Sequence, residues 1–188
     1  MTIYRIHVSL LDTQPTIWRR IELSSQTTLK QFHNLLQIVM GWEDYHMHAF
    51  EAGKVRYGVP SGELHPSDVI LPEGKFTLAD VLPRKGSKLL YTYDFGDDWN
   101  HLIKLEAILP ASLDIAYPRV LDGARNCPPE DCGGPFGYAD LLDILSNPED
   151  ENHQEMREWA GAGFDPEAFS PEDRNRRLRR KRSAASKS

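Results

Sequence analysis

Alternating apolar and polar positions near the N-terminus predict a β-hairpin. The alternation runs over residues 3–11, returns over residues 16–23, and is interrupted by turn-forming residues at 12–15. Because side chains alternate between the two faces of a strand, each segment presents one apolar face. In the first segment that face consists of Tyr4, Ile6, Val8 and Leu10, and in the second of Ile17, Ile21 and Leu23.

The apolar spacing changes to that of a helix after residue 28. Residues three and four positions apart share one helical face, and six apolar side chains between 29 and 40 follow that spacing. Either Thr27 or Thr28 can cap the start of this helix, and Gly41 ends it. The apolar stripe consists of Leu29, Phe32, Leu35, Leu36, Val39 and Met40.

The remaining pattern completes an α+β fold. Two short strands at 46–51 and 54–57 precede the strongest strands of the chain, at 88–95 and 100–109, which are joined by a tight turn. Residues 58–75 and 110–135 are predicted to be mostly loop, and helices follow from 138 onward. We therefore expect a mixed, largely antiparallel sheet of about six strands packed against helices, with a helical C-terminal third.

Charge separates the end of the chain from its body. Residues 172–188 contain eight of the 22 basic residues but two of the 28 acidic ones, so residues 1–171 retain 14 basic and 26 acidic side chains. We expect 1–171 to form one domain, and 172–188 to form a basic tail that is helical at its start and then disordered. The candidate nucleic-acid or partner contacts are Arg174, Arg176, Arg177, Arg179, Arg180, Lys181 and Arg182.

The composition is that of a globular protein, with 40% hydrophobic and 27% charged residues. No secretory pattern opens the sequence, and no window approaches 18 uninterrupted apolar residues. With two cysteines in addition, these features favour a cytoplasmic protein without a structural disulfide and without a membrane partner.

Two polar segments are candidates for chemistry, YDFGDDWNH at 93–101 and CPPEDCGG at 127–134. Carboxylates and an imidazole so close together suit a cation or acid–base work, yet aspartates in a tight turn also bond to backbone N–H groups. A His-x-His pair at 46 and 48 would point to one side of a strand. The candidate ligands for zinc or another divalent cation are His46, His48, Asp97, Asp98, His101, Cys127 and Cys132.

The cysteine spacing does not identify a zinc site by itself. Four residues separate Cys127 from Cys132, whereas zinc loops typically place two residues between their cysteines. Two further ligands would have to come from the histidines. The sequence contains no G-x-S-x-G or H-E-x-x-H signature that would define a catalytic class.

Arg19 occupies an unusual position, because it shares a strand face with Ile17 and Ile21. A guanidinium facing the core requires compensation, since an unpaired buried charge is costly. We expect a structural ion pair with Asp94, Asp97 being the other plausible partner. Such a pair would reduce the free acid available for chemistry.

The order of several motifs resembles the plasmid pRiA4b ORF-3-like family, also described as the passenger TnpR-like protein of an insertion element. The motifs are PTIWRRIEL (15–23), HMHAF (46–50), YTYDFGDDWNH (91–101), CPPEDCGGPFGY (127–138) and FDPEAF (164–169). The resemblance spans about residues 3–178 and implies an association with plasmids and mobile elements. It implies no established activity, and the sequence lacks the arginine-surrounded nucleophile of a recombinase. It marks, without roles, Arg19, Arg20, His46, His48, Asp94, Asp97, Asp98, Trp99, His101, Cys127, Glu130 and Asp131.

Three hypotheses follow. The favoured one is a non-enzymatic module that binds a protein or a nucleic acid, since catalytic signatures are missing and charge is unevenly distributed. The alternative is a metal-dependent, hydrolase-like enzyme that uses a His/Asp/Cys cluster. A third hypothesis makes the polar residues an internal network that holds the 110–137 loop against the sheet. Any shared chemical role of the two polar segments requires the turn of the 88–109 hairpin to meet the 127–134 loop.

Overall fold

The computed structural model describes residues 1–60, 70–161 and 163–185 of the 188-residue chain. The strands are β1 (Thr2–Leu10), β2 (Trp18–Ser24), β3 (His48–Ala52), β4 (Val55–Gly58), β5 (Ile70–Pro72), β6 (Lys88–Tyr93), β7 (Trp99–Pro110) and β8 (Arg119–Ala124). The helices are α1 (Leu29–Met40), α2 (Leu78–Val81), α3 (Gly134–Ser146), α4 (His153–Trp159) and α5 (Pro171–Ala185), and a 3₁₀ turn spans Glu73–Lys75.

The strands form one sheet in the order β5-β4-β3-β6-β7-β1-β2-β8. Every neighbouring pair is antiparallel except β4 and β5, which are parallel. The predicted α+β class and largely antiparallel sheet are therefore confirmed, but the described part of the chain contains eight strands rather than about six. The two additional strands, β5 and β8, form the sheet's edges and fall within segments predicted as loop. Residues 61–69 of the first of those loops lie outside the described residues.

The sheet buries one face and exposes much of the other. The apolar side chains of β1 and β2 face α1 and form the core with the matching positions of β6 and β7. On the opposite face Glu22 accepts hydrogen bonds from Arg5 and Arg119, and Arg20 pairs with Glu106. This arrangement gives the alternating pattern its physical cause, because each strand has one apolar and one solvated side.

Helix α1 is fixed at both ends by local chemistry. The hydroxyl of Thr28 accepts a hydrogen bond from the Gln31 N–H, and the Gln31 side chain accepts one from the Thr28 N–H. Gly41 ends the helix in the left-handed conformation, with φ of 118°. The chain then turns through Trp42, whose indole N–H donates to the Pro128 carbonyl at 3.1 Å. That bond brings the end of α1 against the 127–134 loop.

The C-terminal helices begin at Gly134, after the edge strand β8. Helix α5 continues to Ala185 and inserts Leu178 into the hydrophobic core. The 186–188 part of the predicted disordered tail lies outside the described residues. None of the described helices is long and apolar enough to cross a membrane.

Candidate functional site: a histidine–carboxylate cleft

A cleft of about 410 Å³ opens where the first half of α1, the segment leading into β3 and the β6–β7 turn meet. Its walls combine acidic, imidazole and apolar side chains, including His33, Asp44, His46, His48 and Glu73. Two groups of potential metal ligands lie along it. We call His46, Asp94, Glu130 and Asp131 the outer cluster, and His33, Asp44, His48 and Glu73 the inner cluster.

The β6–β7 turn contacts the 127–134 loop directly. The Gly133 N–H donates to Asp97 Oδ2 at 3.1 Å, and the Tyr93 hydroxyl donates to Glu130 Oε1 at 3.1 Å. The approach is close, because a Cβ on Gly134 would lie 2.5 Å from the Asp97 carbonyl oxygen. The β6–β7 turn and the 127–134 loop therefore lie side by side, as a shared chemical role of the two polar segments requires.

The outer cluster surrounds the Nε2 atom of His46 with three carboxylates. Nε2 lies 3.1 Å from Asp131 Oδ1, 3.6 Å from Asp94 Oδ2 and 3.8 Å from Glu130 Oε2. Although Nε2 is enclosed, it makes no hydrogen bond within the described part of the chain. The side chain of Asp131 is 68% exposed, so the cluster remains open to solvent on one side.

Neighbouring backbone groups hold two of these carboxylates in place. Asp94 Oδ1 accepts the Gly96 N–H at 2.9 Å, which leaves Oδ2 directed toward His46. Glu130 Oε1 accepts the Glu43 N–H at 2.9 Å, while Oε2 lies 3.3 Å from the Tyr93 hydroxyl and 3.8 Å from His46 Nε2. Each carboxylate is thus held by neighbouring groups and presents one oxygen to the imidazole.

The inner cluster pairs two histidines with two carboxylates. His33 Nε2 lies 2.8 Å from Asp44 Oδ1, and His48 Nε2 lies 2.7 Å from Glu73 Oε2. The two imidazole rings are nearly parallel, with centroids 3.4 Å apart and an interplanar angle of 4°. The ligand atoms of His33, Asp44 and His48 all lie within 4.8 Å of one another.

A hydrogen-bonded network orients the inner cluster from behind. His33 Nδ1 lies 2.8 Å from the Tyr91 hydroxyl, which also accepts the Gln37 amide N–H at 3.1 Å. Gln37 Oε1 in turn accepts the Asp44 N–H at 3.1 Å. Burial and then the adjacent His48 ring lower the pKa of His33 to about 4, against the opposing effect of Asp44. His33 is therefore neutral near pH 7.

The structure corrects the geometry that was predicted for the His-x-His pair. Both His46 and His48 lie in the cleft, but they belong to different clusters. Strand β3 begins only at His48, whereas His46 lies in a bend before it. Strand alternation therefore does not relate the two side chains, and each meets its own carboxylates.

The other predicted ligands of the β6–β7 hairpin have structural contacts. Asp97 accepts the Gly133 N–H, and Asp98 lies in the turn with φ of 54°, its N–H donating to the Asp94 carbonyl. His101 is fully buried, with Nδ1 2.8 Å from the Trp99 carbonyl oxygen. Since a carbonyl only accepts, Nδ1 carries the proton, and burial lowers the pKa of His101 to about 4.

The cysteines do not converge with the histidines. Both are free thiols, and burial is the main cause that raises the pKa of Cys127 above its usual range and that of Cys132 to about 12. Among the described residues, neither cysteine joins a group of three potential metal ligands. The predicted zinc site that combined Cys127 and Cys132 with ligands from His46, His48 or His101 therefore has no geometric support among the described residues.

Arg19 and Asp94 do not form the expected ion pair. Arg19 is fully buried and donates to the carbonyls of Val39 at 2.9 Å and of Trp18 and Ala124, each at 2.8 Å. Its guanidinium also lies 4.0 Å above the Phe169 ring. Burial lowers its pKa to about 10, so it remains a cation near pH 7. The prediction was wrong about the partner, because backbone carbonyls replace the carboxylate.

Some basic residues of α5 are buried or paired, and others are exposed. Arg174 is half-buried, with its guanidinium against Gly41, and Arg176 pairs with Asp173 at 2.9 Å. The side chain of Arg182 lies outside the described residues. The remaining candidates are exposed: Arg177, Arg179, Arg180 and Lys181.

Sequence reasoning missed three members of the inner cluster and the role of two in the outer one. His33, Asp44 and Glu73 come from separate segments with no shared motif. Glu130 and Asp131 stood within the CPPEDCGG segment, where the cysteines drew the metal interpretation. The one available signal was their position directly after a proline pair, in a loop that must turn.

The fold and the cleft define a class of single-sheet α+β proteins with a polar cleft at one end of the strands. A family model described as plasmid pRiA4b ORF-3-like protein matches residues 2–173. The chain belongs to this family.

The chain is similar to one curated protein and to one solved crystal structure. The chain is 35% identical, over 162 residues, to the uncharacterized protein y4hQ of Sinorhizobium fredii (strain NBRC 101917 / NGR234), covering 86% of this chain and 82% of that one. It is similar to the crystal structure of MM3350, a protein of unknown function from Methanosarcina mazei Go1, with a TM-score of 0.82 and 37% identity. That alignment covers 92% of this chain and 97% of the other. The descriptions of these two relatives name no activity.

Proposed function

We propose that this protein binds a divalent cation at the outer cluster and that its function is metal-dependent, of the hydrolytic type. The observation that supports the proposal is the enclosed Nε2 atom of His46, which makes no hydrogen bond among the described residues while three carboxylates surround it. A ring nitrogen without a hydrogen-bond partner that faces several carboxylate oxygens has the arrangement of ligands around a cation.

The distances within the outer cluster suit such an ion. With metal–ligand bonds of about 2.1 Å, neighbouring ligand atoms lie about 3.0 Å apart in an octahedral site and about 3.4 Å apart in a tetrahedral one. The three distances from His46 Nε2 are 3.1, 3.6 and 3.8 Å. The ligand atoms of His46, Asp94 and Asp131 all lie within 4.8 Å of one another, and one imidazole with carboxylate oxygens favours a hard cation such as Mn²⁺ or Mg²⁺ over zinc.

Solvent access supports a chemical rather than a purely structural role. Catalytic metal sites keep a coordination position open, and the exposed side of the cluster at Asp131 leaves room for water. A divalent cation lowers the pKa of such a water and orients it as a nucleophile. The reaction class is therefore hydrolysis, in line with the metal-dependent alternative predicted from the sequence.

Cation binding can be tested without knowing the substrate. Chelator-treated protein titrated with Mn²⁺ in a calorimeter should bind one equivalent at the outer cluster. Asp94→Asn and Asp131→Asn should weaken this binding at least tenfold, because each removes a ligand charge but retains the side chain's size. Asp114→Asn, which changes an exposed aspartate outside the cleft, is the matched control. Wild-type protein that binds no Mn²⁺, or variants that bind it unchanged, would refute the proposal.

A second candidate function, nucleic-acid binding, rests on α5. The helix docks through Leu178 and leaves Arg177, Arg180 and Lys181 exposed. Such a row suits phosphate backbones, whose binding weakens steeply with salt. The Arg177→Glu/Arg180→Glu variant should lose binding to a labelled duplex at low salt, whereas Lys54→Glu, at an exposed site distant in sequence, should not. Equal binding by both variants would exclude α5 from this function.

A further inference from the structure

The cleft beside the outer cluster has an apolar wall. Met47, Val59 and Phe95 line it and are 68%, 68% and 41% exposed, and the half-buried Ile70 lines it as well. The three exposed side chains come from the connection before β3, the residue after β4 and the β6–β7 turn. Exposed apolar side chains that meet in one concave surface mark a binding site for an apolar group.

His46 connects this wall to the outer cluster. The His46 side chain lines the cleft, while its Nε2 atom faces the carboxylates of the outer cluster. One molecule in the cleft can therefore reach the outer cluster at one end and the apolar wall at the other. The cleft volume of about 410 Å³ is in the range of small-molecule sites.

The charge of the site disfavours an anionic substrate. The outer cluster has three carboxylates, so a bound divalent cation leaves an excess of negative charge there. Asp44 adds a carboxylate to the cleft, and its partner His33 is neutral near pH 7, since burial lowers the pKa of His33 to about 4. Lys30 is the one lysine or arginine among the described residues that line the cleft. This field repels a phosphate ester but not a neutral acyl compound.

We propose that the cleft binds a neutral carboxylic ester or amide, with its apolar acyl group against Met47, Val59 and Phe95 and its carbonyl group at the outer cluster. The reaction rests on the proposed function, whereas the apolar wall is present without an ion. The oxygen of a water molecule bonds to the carbonyl carbon, the bond to the leaving oxygen or nitrogen breaks, and a proton of the water passes to the leaving group. The products are a carboxylic acid and an alcohol or amine.

Binding of acetamide, butanamide and hexanamide to the full chain tests the apolar wall. In the presence of Mg²⁺, which preserves NMR signals, each added methylene should tighten binding about threefold, because it removes apolar surface from water. The labelled Met47 methyl signal should shift during the titration, and that of Met156 on α4 should not. Met47→Ser and Phe95→Ser should each weaken hexanamide binding about fivefold and reduce the dependence on chain length. Leu113→Ser, at an exposed leucine outside the cleft, is the matched control.

Apolar binding and cation binding can fail separately in this experiment. The wall residues are not members of the outer cluster, so Met47→Ser and Phe95→Ser should still bind one equivalent of Mn²⁺. Equal affinity for the three amides in protein that binds Mn²⁺ overturns the inference and leaves the proposed function intact. Tighter binding of hexyl phosphate than of hexanamide also overturns it, because the favoured substrate would then be an anion. Protein that binds no Mn²⁺ refutes the proposed function and the reaction, whereas a chain-length dependence that persists in that protein supports the apolar site.

Discussion

Helix α5 should behave as part of the folded domain when it is removed or altered. Leu178 is 4% exposed and lies in the hydrophobic core. Asn175 extends the edge strand β8, since its Oδ1 accepts the Val120 N–H at 2.8 Å and its Nδ2 donates to the Val120 carbonyl at 2.9 Å. We therefore expect truncation after Ser170 to destabilise the protein.

The magnitude follows from these contacts. Truncating a buried leucine to alanine costs about 2–5 kcal/mol. Two side-chain hydrogen bonds to a strand contribute about 1–3 kcal/mol more. Because domains are stable by about 5–15 kcal/mol, losing both removes a large share of the total. For a chain of this size about 3 kcal/mol corresponds to a fall in Tm of about 6–12 °C, which we expect for Leu178→Ala alone.

Thermal and urea unfolding followed by circular dichroism will measure the effect. Leu178→Ala and truncation after Ser170 form the test pair. Arg177→Ala, at an exposed position, and truncation after Lys181, which retains Leu178 and Asn175, are the matched controls and should change Tm by no more than about 2 °C. A chain ending at Ser170 that melts within about 2 °C of the wild type would refute the packing argument. It would then support a separable tail beginning at 172.

Three further perturbations have defined outcomes. Glu22→Gln should cost about 1–2 kcal/mol by urea unfolding, because Glu22 bridges Arg5 and Arg119, which are each about a third exposed. Burial raises the pKa of Glu22, but the two arginines outweigh burial and lower the pKa overall. The difference in unfolding free energy between variant and wild type should therefore disappear as pH falls through the folded-state pKa. A difference that stays unchanged in acid would contradict this. His101, whose pKa burial lowers to about 4, should make the fold lose up to about 3 kcal/mol as pH falls from 6.5 to 4, and His101→Gln should flatten that profile. Gly134→Ala should destabilise by more than about 1 kcal/mol, since the new Cβ meets the Asp97 carbonyl oxygen and φ is 69°, whereas Gly163→Ala, with open space around it, should be nearly neutral.

Local sequence patterns correctly predicted the elements whose caps and apolar faces lie within the element itself. Strands β1 and β2 alternate cleanly because one face packs on α1 and the other is solvated. Helix α1 has its caps and stripe in its own residues. Strand β8 was missed because only Val120 is fully buried in it, so it shows no alternation. Its pairing depends on β2 and on the side chain of Asn175 from a helix 55 residues away.

The inner cluster was beyond sequence reasoning for a similar physical reason. His33 follows Phe32 on α1 and has the sequence surroundings of an ordinary helical residue. It meets His48 only because β3 pairs with β6, in the register that places His48 opposite Tyr93. Asp44 reaches the cluster through a left-handed backbone, with φ of 65°, directly after the helix ends. None of these long-range placements has a local signature.

The carbonyl groups that bind Arg19 also explain why the outer cluster can exist. A carboxylate was expected beside Arg19 because a buried cation needs negative charge. The Val39 carbonyl in the last turn of α1 supplies part of it, since the carbonyl end of a helix carries partial negative charge. Asp94 is thereby left unpaired with arginine, and its Oδ2 faces His46 at 3.6 Å. Had the ion pair formed, the outer cluster would have lost the carboxylate that connects the β6–β7 turn to it.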